Sequence, residues 1–220
     1  MSAMIEGLDV SIDREAVVVK SACPLSTCSS AVFHGGLVEA RAVVNLHVRK
    51  NDSCADPPGI LAAYARRAAV PEPYVGLLTS AWTEHAVVGE AAGPGMTALA
   101  VVTVGLSNRV AAGRVPVLEW IPGTINTIVV VDADAEAAAL VNAIITATEV
   151  KVLALAEAGI RDADGAAVSG TFTDAVVVAA TGRGPRARFG GPASELGWTV
   201  AQAVREALIR GIREWKERNP

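Results

Sequence analysis

The sequence predicts a single α+β domain with a mixed, mainly antiparallel sheet, a long central helix crossing between two strands, and a C-terminal helix. Three observations carry this expectation. The first half reads as short apolar or alternating runs set close together, the pattern of hairpins. The second half switches to strand, long apolar helix, strand, the order of a parallel crossover, right-handed by the general rule. Finally, 220 residues are enough for one large domain and marginal for two. No repeat or long linker divides the chain, so one domain is expected over 1–220.

Taken in order, AVVVK (Ala16 to Lys20) is a short apolar strand. In LVEARAVVNLHV (Leu37 to Val48), Ala42, Val44, Leu46 and Val48 fall on one side and Arg41, Asn45 and His47 on the other. That alternation predicts a half-buried antiparallel strand. Asp56-Pro57-Pro58 starts a helix over Gly59 to Ala69. YVGLLTSA, HAVVGEA and MTALAVVTVGL follow at short spacing, separated by Trp82-Thr83-Glu84 and Gly93-Pro94-Gly95, and read as hairpin strands. NTIVVVD (Asn126 to Asp132) is a strand. Asp132 or Asp134 then caps a helix that runs to about Ala158 and stops at Gly159. TDAVVVAA (Thr173 to Ala180) is the returning strand. A last helix begins near Ser194, with Leu196, Val200, Val204, Leu208 and Trp215 as its apolar stripe and Arg205, Glu206, Arg210, Lys216 and Glu217 outside.

Composition narrows the class. Hydrophobic residues make up 51 % but aromatic residues only 4 %, so the core is built from Ala and Val. A net charge of −4 excludes a broad nucleic-acid surface, which needs clustered Lys and Arg. Cys23, Cys28 and Cys54 are an odd set, which fits a reducing compartment better than a disulfide framework. The start, MSAMIEGLDVSID, lacks the basic residues and apolar stretch of a leader. Glu149 and Lys151 interrupt the apolar helix. A soluble cytoplasmic protein without membrane insertion is expected; self-association into a homo-oligomer is left open.

Chemistry is expected where polar, glycine-containing stretches meet strand ends. These are STCSSAVFHGG (Ser26 to Gly36), GLSNRVAAG (Gly105 to Gly113), PGTINT (Pro122 to Thr127) and SGTFTDA (Ser169 to Ala175). Rigid strands hold such loops at a cavity edge, and glycine lets the backbone approach a ligand. In LVNAIITATEVK, Asn142, Thr146 and Glu149 recur at helical spacing and line one face. A pocket wall and a plain solvent face both fit that stripe. Ser107-Asn108 also fits a turn, and Thr171, Thr173 and Asp174 a strand opening. His34, His47 and His85 show no metal-ligand spacing, and no CxxC, GxxxxGK, GxGxxG or GxSxG motif is present. No metal site is expected. Arg183, Arg186 and Arg188 fit a solvated loop or an anion clamp.

The stretch GTINTIVVVDADAEAAALVNAIITATEVKVLAL, followed by SGTFTDAVVVAA, resembles the adenosylcobinamide amidohydrolase family. So do SSAVFHGGL, VGLLTSA and GLSNRVAAG, in the same order, from about Ser26 to the last helix. The resemblance implies cleavage of the amide that joins the aminopropanol arm to the corrin ring. Adenosylcobinamide then yields adenosylcobyric acid and 1-aminopropan-2-ol in cobamide salvage or remodelling. The substrate is a corrinoid that carries its own cobalt, and no cofactor of the protein is implied. Two segments depart from the family pattern. TGTGTDA is SGTFTDA here, with Ser169 and Phe172 as the exchanged residues; Phe172 could narrow the loop or stack on the corrin. A Gly-Thr-His-Thr-like segment is replaced by FGGPASELG, which has no histidine.

Amide hydrolysis needs an activated nucleophile or water, an oxyanion donor and a proton for the leaving amine. Asp174 and Glu149 are the candidate general bases, with Thr171 and Thr173 as hydroxyls they could activate. Asn108, Asn126 and Asn142 could orient the amide or donate to the oxyanion. Ser29 and Ser30, beside Gly35 and Gly36, form a second nucleophile candidate. Ser107, Thr146 and Phe172 complete the expected substrate surface. If the helix stripe is a pocket wall, Asn142, Thr146 and Glu149 should face the same cavity as Asn126 and Asp174. A corrinoid carrier without activity, or an amidohydrolase for another bulky amide, remain the alternative readings.

Overall fold

The structure, a computed structural model, describes residues 5–50, 54–115 and 124–220. The strands among them are β1 (Leu8–Ile12), β2 (Ala16–Ser29), β3 (Gly36–His47), β4 (Tyr74–Thr79), β5 (Val87–Gly93), β6 (Met96–Val104), β7 (Arg109–Val110), β8 (Ile125–Val131), β9 (Asp134–Ala135), β10 (Gly170–Thr171), β11 (Ala175–Ala180) and β12 (Arg186–Ala187). The helices are α1 (Pro57–Arg67), α2 (Ala137–Glu157) and α3 (Glu195–Arg218). The main sheet runs β4-β3-β2-β11-β8-β6-β5, with β1 beside β2. Only β3–β4 and β8–β11 are parallel within it, and a helix joins each of those pairs. The mixed, mainly antiparallel α+β architecture expected from the sequence is the one observed.

The long strand β2 sets the shape. Its pairing with β3 changes register between Lys20 and Leu25. A bulge there bends the strand and increases its twist. The sheet folds over, so one face of each half becomes interior. Val17, Val19, Val43, Val75 and Leu77 from one half meet Leu99, Val101, Ile128, Val130 and Val177 from the other. Outside, α2 and α3 cover β6, β8 and β11, with Leu140, Ala147, Val200 and Leu208 against Ala100, Val129 and Val178. On the opposite side α1 covers β2 and β3 through Leu61 and Tyr64 against Val18, Val44 and Leu46. The layers are helix, sheet, sheet, helix.

This folding corrects the reading of β3. The strand is buried on both faces: Val44 and Leu46 pack toward α1, and Val43 and Asn45 face the interior layer. The polar residue that alternation placed toward water is only 2 % exposed. Alternation cannot tell water from a polar patch inside a folded-over sheet.

Helix ends follow local chemistry. Asp56 accepts from the Gly59 amide at 3.0 Å, and Pro57 opens α1. Ser194 caps α3 by accepting from Gly197 N–H at 3.1 Å. Gly159 ends α2 at φ +67°, as its position predicts. The start of α2 differs from expectation. Its N-cap is Glu136, not Asp132 or Asp134. Asp134 lies in β9, and Asp132 accepts from the Thr181 hydroxyl and Arg183. By length and composition α2 could cross a membrane, but half of that apolar window is buried inside the protein.

Helix α3 packs its backbone against β5 at Gly89. A Cβ there would meet the Ala203 carbonyl, the Ala207 amide at 2.8 Å and the Ala207 methyl at 3.1 Å. Backbone atoms on both sides cannot yield cheaply, so Gly89→Ala should lower stability by about 1–3 kcal/mol in urea unfolding.

Candidate active site

The start of β11 brings one carboxylate into an enclosed position. Asp174 uses both oxygens fully. Oδ1 accepts from the Ile125 amide at 2.9 Å and the Thr171 hydroxyl at 2.5 Å. Oδ2 accepts from the Thr171 amide at 3.0 Å and from Lys151 Nζ at 2.5 Å. The Lys151 and Asp174 side chains are 10 % and 9 % exposed. The ion pair therefore joins α2, the β10–β11 turn and the first residue of β8. Gly170 makes room for it: a Cβ at that position would collide with both the carboxylate and the ammonium.

Thr171 is itself only 8 % exposed. Its hydroxyl points its proton at a carboxylate while an ammonium lies on the other oxygen. Chemically this is a hydroxyl, a proton acceptor and a cation within one contact shell, the parts needed to activate a nucleophile and stabilise an oxyanion. Phe172 and Thr173 are half-buried in the same turn. The Thr173 carbonyl accepts from Thr124 Oγ1 at 2.7 Å.

Behind this turn a polar chain runs into the interior layer. Thr124 Oγ1 also lies 3.0 Å from Asn126 Oδ1. Asn126 Nδ2 donates to Asn45 Oδ1 at 2.8 Å and to the Leu78 carbonyl at 3.0 Å, and Asn45 donates to Thr103 Oγ1 at 3.0 Å. Asn126 is 1 % exposed with both amide ends engaged. It is a crosslink between the two sheet halves, which corrects its expected role as an oxyanion donor.

The helix stripe is also corrected. Asn142 and Glu149 are exposed, and Thr146 is buried but donates to the Gly190 carbonyl at 2.9 Å. None of the three takes part in the Asp174 bonds. At about 100° per residue, Lys151 lies some 200° around the helix from Glu149, on the face of Ala147 and Ala154. In the sequence Lys151 reads only as an interruption of the apolar helix. The available signal was a lone cation among small apolar residues, one turn after Ala147.

The remaining candidates gather at the same end of the sheet. Ser29 pairs with Val177 of β11 and with Gly36 of β3. Its hydroxyl is buried without a hydrogen-bond partner. Ser30 is exposed, and its Oγ accepts from the Val176 amide at 3.1 Å. Gly35 and Gly36 are exposed, and Gly36 needs its φ of +86°. Ser107 and Asn108 precede β7, which pairs with β10. Ser107 lies on the rim of a cavity of about 360 Å³ and accepts from Lys50 Nζ at 2.8 Å. In PGTINT, Pro122 and Gly123 lie outside the described residues.

Other candidates are accounted for by packing. Arg183 pairs with Asp132, and Arg186 and Arg188 pair with Glu136, so this loop is neutralised locally. Cys28 is buried, and burial pushes its thiol pKa up, which disfavours the thiolate a nucleophile needs. Among the described residues, no three His, Cys, Asp or Glu side chains come together as a metal site.

A family model described as adenosylcobinamide amidohydrolase matches residues 1–220. A curated adenosylcobinamide amidohydrolase of Methanosarcina mazei is 32 % identical over 197 residues, covering 84 % of this chain and 86 % of that one. Among solved structures, the PH0078 protein of Pyrococcus horikoshii overlaps with a TM-score of 0.46 at 13 % identity, over 94 % of this chain and 83 % of its own. A β-aminopeptidase of a Burkholderia species overlaps with a TM-score of 0.46 at 15 % identity, over 94 % and 81 %.

Removing one member of the buried pair should be costly. Lys151→Met leaves the Asp174 charge uncompensated and should cost about 3–5 kcal/mol in denaturant unfolding. Glu149→Gln, on the exposed flank, should stay within about 0.5 kcal/mol of the parent.

Proposed function

The chain belongs to the adenosylcobinamide amidohydrolase family and is an amide hydrolase, and from that premise we propose that Thr171, Asp174 and Lys151 carry the reaction. The substrate is adenosylcobinamide, cut at the amide joining the aminopropanol arm to the corrin. The products are adenosylcobyric acid and 1-aminopropan-2-ol, in corrinoid salvage. The observation that carries the residue assignment is the 2.5 Å hydrogen bond from the Thr171 hydroxyl to Asp174, with Lys151 on the other carboxylate oxygen.

In this reading the Thr171 oxygen attacks the amide carbonyl and its proton passes to Asp174. The Lys151 ammonium stabilises the resulting oxyanion, a contribution of about 3 kcal/mol for one such donor. The C–N bond breaks as Asp174 returns the proton to the departing amine. A water then enters, gives its proton to Asp174 and cleaves the Thr171 ester, releasing the carboxylic acid and restoring the hydroxyl. Thr171 is reached by the slender amide arm, and the corrin stays outside the buried cluster. No resident metal is used in these steps, and the cobalt belongs to the substrate.

The same reading places the reaction in the cytoplasm, supported by the free thiols of Cys23 and Cys28. A role in remodelling as well as salvage is a use of the same hydrolysis on cobamides built with an unsuitable loop.

The test is release of aminopropanol from adenosylcobinamide by the purified protein. Thr171→Val and Asp174→Asn should each slow it by about 10²–10⁴-fold with corrinoid binding retained, and Thr171→Ser should recover part of the rate. Acid quenching during turnover should trap a corrinoyl ester on Thr171. Near-normal rates in Thr171→Val, or an adduct on Ser30 or Ser107, would overturn the assignment.

A further inference from the structure

The cavity beside Ser107 is not used by the hydrolysis described above. It is bounded by Ser80 and Trp82 after β4, Gly105 and Ser107 after β6, and Trp215 and Asn219 at the end of α3. Its 360 Å³ is near the lower end of small-molecule pockets, about 300–1,000 Å³. A nucleoside fits that space and a corrin macrocycle does not.

Its walls have the chemistry of a base-binding site. Trp82 is 55 % exposed, an unusual position for an indole in a chain so poor in aromatics. It is held in place from behind. His47 stacks on it at 4.5 Å between ring centroids and 16° between planes. The His47 ring is itself fixed by Nδ1–H donating to the Ala81 carbonyl at 3.0 Å. The indole is thus an oriented platform, the kind on which any base can stack. Hydrogen-bonding groups surround it. Ser80 Oγ is buried and has no partner. Asn219 donates Nδ2–H to the Trp215 carbonyl, leaving Oδ1 to accept. Ser107 accepts from Lys50 and keeps its own proton to donate.

The cations do not converge as they would around a phosphate. Arg218 is matched by Glu214 at 3.6 Å, which leaves the Lys50 ammonium, bonded to Ser107, as a single cation at the rim. An uncharged nucleoside suits the pocket better than a nucleotide.

The cavity is tied to the Asp174 turn by a short relay. Gly105 N–H donates to the Thr124 carbonyl, and the Thr124 hydroxyl donates to the Thr173 carbonyl. A ligand spanning both regions would place one appendage in each.

We propose that this pocket holds the adenosyl group of the corrinoid, with the adenine stacked on Trp82, while the amide arm reaches Thr171. This rests on the corrinoid reading of the active site and adds the residue that selects for the adenosylated form. A base could also come from a nucleotide loop, so the test separates the two sources.

Binding is measured by equilibrium dialysis with adenosylcobinamide, dicyanocobinamide and cyanocobalamin, using the full chain in a Thr171→Val background so that the ligand is not consumed. Trp82→Ala should weaken adenosylcobinamide about tenfold and leave dicyanocobinamide within about twofold, and Trp82→Phe should retain most of the affinity. Without the Trp82 change, millimolar 5′-deoxyadenosine should compete with adenosylcobinamide, a measurement that needs no Trp82 variant to fold. Equal losses for the two cobinamides, no loss, a loss confined to cyanocobalamin, or absence of competition would overturn the proposal. Trp82-dependent selectivity without aminopropanol release would remove hydrolysis and leave the pocket standing. Release with binding indifferent to Trp82 would do the reverse.

Discussion

A carboxylate at 9 % exposure sits at the start of β11, and its environment constrains three separate parts of the chain. Four donors must reach it, because each unmet lone pair in a dry site costs free energy. Two are backbone amides, which fix the Thr171–Asp174 turn and set the start of β8 beside β11. One is the Thr171 hydroxyl, and one is Lys151 from the middle of α2. The crossover helix is therefore pinned in rotation as well as in position. A slip of α2 by one residue would turn Lys151 about 100° away and bury the charge of Asp174 alone. Gly170 is the steric counterpart of that constraint, since a side chain there would occupy the space of the ion pair.

The polar chain from Thr124 through Asn126 and Asn45 to Thr103 extends the same logic across the folded sheet. Asn45 and Thr103 lie on β3 and β6, which are not neighbours in the strand order. They meet only because the bulge in β2 folds one half of the sheet over the other. Apolar pairs would fill that space equally well but would tolerate sliding. Amide and hydroxyl groups with specific partners do not, because any shift leaves a buried group unsatisfied. This holds the end of β8 that supplies the Ile125 amide to Asp174.

Much of the layout was readable from spacing. The strand–helix–strand unit, the starts of α1 and α3, the stop of α2 at Gly159 and the apolar stripe of α3 follow from local pattern and cap chemistry. Thr171, Thr173 and Asp174 read as a strand opening, and they lie at the β10–β11 turn just before that strand. The errors share one cause. Asn45 and Glu149 are sorted by which face of a single element they occupy, and Lys151 reads only as a break in an apolar run. That sorting presumes that polar means wet. In this fold the second face of β3 is interior, so Asn45 is buried. The apolar face of α2 carries Lys151, the partner of Asp174, and Glu149 on the other face meets solvent. The short strands β7, β9, β10 and β12 left no pattern because two residues cannot show a period. The cap at Glu136 was missed because its backbone amide is met by the Ala187 carbonyl, a partner 51 residues away, and not by its own side chain.

The two regions differ in a way that suits divided tasks. The Asp174 cluster is enclosed, saturated with hydrogen bonds and built on a helix and two strands. Reacting groups benefit from that rigidity, because misplacement of even about 1 Å is costly to rate. The Trp82 cavity is open, lies at loop and helix ends, and keeps the unsatisfied Ser80 hydroxyl and a half-exposed indole. Recognition of a large substrate tolerates such an edge, since stacking is permissive about small shifts. In the proposed reading, selection by the adenosyl appendage and attack by Thr171 fall to separate parts of the fold. In that reading, binding energy gathered at Trp82 offsets the cost of holding the arm at Thr171. The enclosed cluster would otherwise have to recognise a bulky substrate through a side chain only 8 % exposed.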